Sequence, residues 1–255
     1  METKTRMRWP LSGEVIYRTE DALGDILVID KGKHRVLSFG SIFEQSKIDP
    51  ARPYLPVHEY NRAMLLPLAF ARPQHATVLG LGGGSLVNAL YHLLPEATVS
   101  VVELRSEVVD VARRFFGLAT SPRISITIED VRRALPRLPE GATDLILTDL
   151  YDAQRMSPVQ TQRRFIDQCA RALSTEGWLA INYHELPPEN GPLFMHLRAL
   201  FAVVLLFKSK TGNYVLYACK ECFDPMGSDD PRLSELEEKL PLGWRRLMGR
   251  VMRVV

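Results

Sequence analysis

The sequence predicts an α/β fold in which a mostly parallel sheet is covered by helices, with a small antiparallel β domain before it. Two patterns give this prediction: apolar and polar residues alternate over residues 13–48, and strand-like and helix-like segments follow one another from residue 77 onward. Alternation with period two is typical of half-buried strands, whereas strand–helix repetition is typical of parallel sheets with helices on both faces. Pro50, Pro53 and Pro56 separate the two parts, so we expect a domain boundary near residue 56.

Seven short apolar runs in the second part predict the strands of the parallel sheet. They lie near residues 77–81, 98–103, 123–128, 143–149, 177–183, 201–207 and 213–219. Helical spacing of apolar residues predicts helices near 59–70, 84–94, 106–116, 158–173 and 189–199. The last two strands leave no room for a helix, and Gly212 and Asn213 between them predict a hairpin turn. The final strand should therefore run antiparallel to the others.

The composition is that of an ordinary globular protein. A chain of 255 residues with 46% hydrophobic residues can build a sizeable core, and a formal net charge of +2 gives no reason to expect nucleic acid as a partner. The longest apolar stretch, residues 199–207, is too short to span a membrane, and residues 1–9 do not form an apolar leader. These features predict a cytoplasmic protein.

The cysteines do not point to a metal or redox centre. Cys219 and Cys222 form a lone Cys-x-x-Cys, Cys169 stands apart, and no second ligand pair accompanies them. A redox pair of this kind should open a helix, whereas this one follows a predicted strand. We therefore expect no metal.

A glycine turn between two predicted strands is the most informative segment. Residues 77–79 lead into a turn with Gly80, Gly82 and Gly84, and the next strand ends at Glu103. Glycines let the backbone approach a ligand closely, and an acid at the tip of the next strand can accept hydrogen bonds from both ribose hydroxyls. Ser85 replaces the last glycine of a dinucleotide fingerprint, so the spacing favours an S-adenosylmethionine-type ligand over NAD.

Three further acids follow predicted strands at the edge where ligands bind in open α/β sheets. Asp130 can accept a hydrogen bond from an adenine amino group, or it can cap the helix that begins at Val131. Asp149 and Asp152 follow the fourth strand, and paired acids there can hold a cationic substrate and take a proton from an attacking amine. They can also be loop acids that cap the next helix.

The chain resembles the spermidine synthase (polyamine aminopropyltransferase) family, especially its divergent bacterial branch, over roughly residues 14–220. The resemblance rests on the N-terminal β-hairpins and on several short motifs. These are Gln45-Ser46, Tyr60-Asn61-Arg62-Ala63-Met64, Gly80-Leu81-Gly82-Gly83-Gly84, Val102-Glu103, Glu129-Asp130 and Asp149-Leu150-Tyr151-Asp152.

This resemblance implies a methyltransferase-type Rossmann-like sheet of seven strands with one reversed. It also implies that decarboxylated S-adenosylmethionine donates an aminopropyl group to a small amine such as putrescine. Gln45, Glu103 and Asp130 would then contact the adenosyl thioether part, Asp149 would accept the proton, and Asp152 would assist in the amine site. Association of family members through their small sheets implies a homodimer.

Two departures from the family pattern keep other functions open. Ser85 stands where typical members carry an aspartate that helps to bind the diamine, and Ala153 follows Asp152 where the family's Asp-x-x-Asp-Pro motif ends in proline. One alternative is an S-adenosylmethionine-dependent methyltransferase that uses the same turn and Glu103. The other is an adenosyl-nucleoside-binding protein without turnover.

The last predicted unit is a basic C-terminal tail, residues 226–255, which follows a catalytic domain over residues 57–225. A helix is expected over residues 233–240, and arginines alternate with apolar residues from Trp244 to Arg253. Such an end either contacts an acidic surface or a membrane, or packs its apolar side on the domain or on a twin subunit.

Overall fold

The computed structural model describes residues 12–41, 43–153, 155–221 and 227–254. Its first part is an antiparallel sheet in which β1 (Glu14–Asp21), β2 (Gly24–Lys31), β3 (His34–Ser38) and β4 (Ser46–Ile48) pair in chain order. The predicted antiparallel sheet is therefore confirmed. The expectation about an apolar leader concerns residues 1–9, which lie outside the described residues.

The second part contains the larger sheet and its helices. Its strands are β5 (His75–Leu79), β6 (Thr98–Glu103), β7 (Ile124–Ile128), β8 (Thr143–Thr148), β9 (Leu173–Tyr183), β10 (Val203–Lys208), β11 (Tyr214–Cys219) and β12 (Met252–Arg253). The helices are α1 (Glu59–Met64), α2 (Ser85–Leu93), α3 (Ser106–Phe115), α4 (Val131–Ala134), α5 (Arg163–Ala172), α6 (Pro192–Leu200), α7 (Pro231–Lys239) and α8 (Trp244–Met248).

The larger sheet has the order β12-β10-β11-β9-β8-β5-β6-β7 among the described residues. Strands β5 to β9 pair in parallel, and β11 runs antiparallel to both β9 and β10, as its hairpin predicts. The seven predicted strands are all present. An eighth, β12, pairs with β10 through Leu205 and Leu206, and its two residues carry no alternating pattern that could predict a strand.

Two predicted helices are interrupted. The segment predicted as a helix over 59–70 is α1 followed by a 3₁₀ turn over Leu66–Ala69. The segment predicted over 158–173 is a 3₁₀ turn over Pro158–Thr161 followed by α5. Proline has no N–H for the helical hydrogen-bond ladder, so the first break follows from Pro67. The second break lies at Gln162, whose backbone is extended (φ −80°, ψ 135°) between the two helical segments.

The sheet order places two strand ends side by side. From β5 the chain crosses to β6 on one side, whereas β8 pairs with β5 on the other side. The crevice beyond the carboxyl ends of such a pair is where open α/β sheets bind ligands. The glycine turn follows β5 and Asp149 follows β8, so the fold brings these two sequence motifs together.

The small sheet packs onto α3 of the larger part. Ile26, Val28 and Leu37 share a buried apolar cluster with Val108 and Phe116. Arg105, just before α3, adds two hydrogen bonds to the Asp21 carboxylate, at 2.7 and 2.8 Å. The two sheets are therefore joined by both apolar and ionic contacts.

The C-terminal segment packs onto the larger part. Trp244 and Leu247 of α8 are fully buried, and the Trp244 indole N–H donates to the Leu240 carbonyl at 2.8 Å. This is the second of the two arrangements expected for the basic tail. Cys222 of the Cys-x-x-Cys pair lies outside the described residues. In the part of the chain that the structure describes, no helix is long and apolar enough to cross a membrane.

Candidate active site

The glycine turn lies directly against the loop that follows β8. Gly80 has φ +91°, and a Cβ at this position would lie 2.4 Å from the Asp149 carbonyl oxygen. The Gly80 N–H donates to the Val102 carbonyl of β6 at 2.9 Å. Only a residue without a Cβ fits between the two strand ends, so the chain can turn here without displacing Asp149.

Ser46 of the small sheet holds the far side of this turn. Its hydroxyl accepts a hydrogen bond from the Gly83 N–H at 2.8 Å, and a Cβ at Gly82 would lie 2.7 Å from the same oxygen. The loop that carries Gln45 and Ser46 thus reaches the crevice of the larger sheet. This contact spans 37 residues and could not be read from local spacing.

Glu103 ends β6 with its carboxylate turned toward the glycine turn. One oxygen accepts from the Leu81 N–H and the other from the Arg105 N–H, both at 2.9 Å. Burial, which leaves 8% of the residue exposed, raises the pKa of Glu103, and backbone N–H groups oppose this increase. Each oxygen keeps a further lone pair, so the carboxylate can still accept ribose hydroxyls, and these residues fit an adenosyl group.

Asp149 occupies the crevice between the ends of β5 and β8. Its Oδ1 accepts from the Asn182 amide at 2.8 Å, and its Oδ2 lies 3.5 Å from the Tyr60 hydroxyl, which donates to it. Burial raises the pKa of Asp149 to about 6, while these two hydrogen bonds lower it. The carboxyl group can therefore exchange a proton near neutral pH.

A buried polar network around Gln160 joins the ends of β8 and β9 next to Asp149. The fully buried Gln160 accepts from the Leu150 N–H at 3.2 Å and donates to the Asn182 carbonyl at 3.2 Å. It also accepts from the Thr148 hydroxyl, and its own carbonyl accepts from the Tyr183 hydroxyl at 2.9 Å. This network fixes the ends of β8 and β9, and with them the direction of the Asp149 side chain.

Asp152 and Gln45 meet at the outer side of the same crevice. The Gln45 amide donates to the Asp152 carbonyl oxygen at 3.1 Å. The Asp152 side chain is 57% exposed, accepts from the Arg155 N–H at 2.8 Å and faces the Arg155 guanidinium at 3.7 Å. The two predicted catalytic acids thus have different surroundings, one half-buried and one at the surface.

Asp130 caps α4, as the second interpretation of this residue predicts. Its carboxylate accepts from the Arg132 N–H at 2.8 Å and pairs with the Arg132 guanidinium, which lowers the pKa of Asp130. The neighbouring Glu129 pairs with Arg137 and Arg133. A cap uses part of the carboxylate only, so contact with an adenine amino group remains a prediction.

Several polar residues of the crevice did not emerge from the sequence as site residues. Tyr60 and Asn182 contact Asp149, and the ring of His58 stacks on Tyr60 with centroids 5.6 Å apart. Burial lowers the pKa of His58 to about 4, so its ring is neutral. Asn182 has a signal in the sequence, since it sits near the carboxyl end of the fifth predicted strand.

Three polar atoms near these motifs are buried without a hydrogen-bond partner in the described part of the chain. They are the Ser85 hydroxyl, at the first position of α2, the His58 Nε2 and the Asn61 Oδ1. A buried polar group without a partner is costly, and such groups are frequent at binding sites. Among the described residues, no three His, Cys, Asp or Glu side chains are grouped as metal ligands.

Comparison with known proteins decides the family. The spermine/spermidine synthase domain model matches residues 58–190, which is just over half of the chain. The chain belongs to this family. A polyamine aminopropyltransferase of Chromobacterium violaceum is 32% identical to it over 164 residues, which cover 64% of this chain and 63% of that relative. The match thus spans less than two thirds of the relative's length, and Glu103, Asp130, Asp149 and Asp152 lie inside the family region.

Solved structures of spermidine synthases share the fold of this family member. A probable spermidine synthase from Corynebacterium glutamicum has a TM-score of 0.73 at 18% identity, and the match covers 89% of this chain and 87% of that one. A spermidine synthase in complex with the transition-state analogue AdoDATO has a TM-score of 0.64 at 18% identity, with 83% and 77% covered. At these identities the likeness concerns the fold alone.

Proposed function

We propose that this chain is an aminopropyltransferase that moves an aminopropyl group from decarboxylated S-adenosylmethionine to a small amine. One observation carries the proposal: Asp149 lies at the crevice beside the glycine turn, oriented by two hydrogen bonds and with a pKa near neutrality. Family membership supports it, because the relative from Chromobacterium violaceum is named a polyamine aminopropyltransferase.

Asp149 supplies the proton acceptor in this proposal. An alkylammonium has a pKa near 10 and is not nucleophilic, so an acceptor amine must lose a proton to react. The amine nitrogen then forms a bond to the carbon next to the sulfonium, and the electrons of the breaking carbon–sulfur bond remain on sulfur as a neutral thioether. Above about pH 6 the Asp149 carboxylate is ionised and takes the proton.

The adenosyl part would be held by the residues around the glycine turn. Glu103 would accept the ribose hydroxyls, Asp130 the adenine amino group, and Gln45 would contact the thioether side, with Gly80, Gly82 and Gly84 allowing close approach of the backbone. The surface position of Asp152 fits a role at the entrance of the amine site, where it would attract a cation.

We expect the acceptor to be a small amine, the location to be cytoplasmic and the assembly to be a homodimer. We expect the chain to consist of an N-terminal β domain over 1–56, a catalytic domain over 57–225 and a basic tail over 226–255. Ser85 in place of an acid argues against tight binding of a second ammonium group near the turn.

The test combines ligand binding with turnover in Asp149→Asn. We expect methylthioadenosine and decarboxylated S-adenosylmethionine to bind more tightly than S-adenosylmethionine and S-adenosylhomocysteine, which carry a carboxylate. The difference should be at least about tenfold, or ~1.4 kcal/mol. Asp149→Asn should lose activity by about 10² to 10⁴-fold, because the proton acceptor is gone. Methylthioadenosine binding should stay within a few-fold of the original.

The control is Asp229→Asn, since Asp229 is 98% exposed and pairs with Arg245 in the C-terminal segment. It should leave both measurements unchanged. Tighter binding of S-adenosylmethionine and S-adenosylhomocysteine would instead indicate a methyltransferase. Binding of the decarboxylated ligand without turnover across a series of amines would indicate a binding protein.

A further inference from the structure

A partly buried ion pair connects the C-terminal segment to the start of α1. The Arg250 guanidinium donates to Oε1 of Glu59 at 2.7 Å and also donates to the Lys208 carbonyl at the end of β10. It lies over the ring of Phe207, 4.5 Å from the centroid. The side chains are 30% and 14% exposed, so this pair is screened from solvent more than a surface salt bridge is.

Glu59 also holds the turn between β10 and β11. Its Oε2 accepts from the Lys210 N–H at 2.7 Å, while its Oε1 accepts from Arg250. Glu59 is the first residue of α1. One carboxylate therefore joins α1, the β10–β11 turn and the C-terminal segment.

Both hydrogen-bond partners of Asp149 depend on the elements that Glu59 joins. Tyr60, which donates to Oδ2, is the next residue of α1. Asn213, at the end of the β10–β11 turn, donates to the Asn182 side-chain oxygen at 3.2 Å, and the amide of Asn182 donates to Oδ1 at 2.8 Å. Two short routes thus lead from the Glu59–Arg250 pair to the two oxygens of one carboxylate.

We propose that Glu59 and Arg250 are positioning residues for Asp149. They hold α1 and the β10–β11 turn at the distance at which Tyr60 and Asn182 can both reach the carboxylate. Arg250 of the C-terminal segment thereby contributes to the candidate active site without lying in it. The consequence for catalysis rests on the proposed function, whereas the effect on the Asp149 carboxylate does not.

The direction of the effect follows from the groups that face Asp149. These are Tyr60 from α1, Asn182 from β9 and Tyr151 from the same loop, with Asp152 further out at the surface. Both tyrosines are neutral because burial raises their pKa values. The hydrogen bonds from Tyr60 and Asn182 stabilise the ionised form of Asp149, so loosening either one raises its pKa further.

The experiment is a carboxyl-carbon NMR titration of Asp149, assigned with Asp149→Asn, in the full chain. We expect Glu59→Gln and Arg250→Ala to raise the pKa of Asp149 by about half a pH unit or more, and Arg250→Lys to restore part of the difference. Arg245→Ala is the matched control, because Arg245 lies in the same segment and bonds Ser234 and Asp229 instead. It should leave the titration unchanged.

The proposal is overturned if Asp149 titrates as in the original chain in folded Glu59→Gln, or if Arg245→Ala raises the pKa as much as Arg250→Ala. If Arg250→Ala does not fold, the titration of Asp149 in the nearly isosteric Glu59→Gln and in the conservative Arg250→Lys still tests the proposal. Where turnover is measurable, kcat should fall more than the KM for the adenosyl substrate rises. Lack of turnover in the original chain would contradict the proposed function but leave the titration result valid.

Discussion

At the scale of single residues, Asp149 combines properties that act against each other. Its burial favours the neutral acid, whereas a proton acceptor must be ionised, and the bonds from Asn182 and Tyr60 offset part of that burial. The resulting pKa of about 6 leaves most of the carboxyl groups ionised at neutral pH. Ionised, partly desolvated Asp149 therefore lowers the free energy of unfolding.

Asp149→Asn should therefore stabilise the fold at alkaline pH. The pKa is about 6 in the folded chain and about 3.9 in an unfolded one, so the group favours folding fully below pH 4 and loses this contribution as the pH rises through 6. Removing the charge should raise the free energy of unfolding by about 1–2 kcal/mol at pH 8. Urea unfolding at pH 8 and pH 3.5 checks this, since the two proteins should differ only at pH 8.

Gly80 allows a second prediction with a close control. Gly80→Ala adds a Cβ 2.4 Å from the Asp149 carbonyl at φ +91°, whereas Gly212→Ala adds one at φ +94° with nothing within 4 Å. The backbone strain is the same, about 1 kcal/mol, so any greater loss for Gly80→Ala measures the clash. We expect Gly80→Ala to cost about 2–4 kcal/mol and to weaken methylthioadenosine binding. Equal losses in thermal unfolding would contradict the close approach.

Site residues can be predicted from the sequence only where a motif lies at the end of a predicted strand. Glu103 and Asp149 follow apolar runs, so the fold class alone predicts their place at the crevice. Tyr60 and Asn182 reach Asp149 from residues 89 and 33 positions away in the chain. Such contacts depend on how the elements pack, so local sequence patterns do not predict them.

At the scale of secondary-structure elements, the junction between the small sheet and α3 depends on one arginine. Arg105 donates twice to Asp21 and once to the Gly24 carbonyl, and its side chain is 7% exposed. Its guanidinium also lies over the ring of Phe39. Because the Arg105 N–H also bonds Glu103, the same residue connects this junction to the proposed ribose site.

Arg105→Met should destabilise the chain by about 2–4 kcal/mol, because the Asp21 carboxylate is left buried without its cation. Arg105 lowers the pKa of Asp21, so the pair stabilises the fold above about pH 4 and loses its effect as the pH falls through the lowered pKa. The difference between the two proteins in urea unfolding should therefore shrink below pH 4.

Arg18→Ala is the comparison, since its pair with Asp25 lies at the surface and the arginine side chain is 46% exposed. It should cost less than about 1 kcal/mol. A similar loss of unfolding free energy in both variants would mean that burial of the Arg105–Asp21 pair adds nothing to its contribution.

The existence and order of the elements follow from the sequence better than their ends do. Apolar runs of strand length predict the seven main strands, because each must be buried between two layers of helices. The helix breaks near Pro67 and at Gln162 depend on single residues, and the two-residue strand β12 depends on pairing with a distant strand.

At the scale of the whole molecule, the crevice is lined by distant parts of the chain. The small sheet supplies Gln45 and Ser46, α1 supplies Tyr60, and the ends of the strands supply Glu103 and Asp149. The family model matches residues 58–190, so the contribution of the small sheet lies outside the matched region. Sequence similarity within that region therefore describes only part of the site.

The pairing of β12 with β10 also concerns solubility. β10 is an apolar strand, Val203–Lys208, and β12 covers it at Leu205 and Leu206, with the Val254 N–H donating to the Val204 carbonyl. An uncovered apolar edge strand can pair with the same strand of another copy and start aggregation. Residues 252–254 thus cover the edge strand of the sheet. We expect a chain that ends before residue 252 to self-associate.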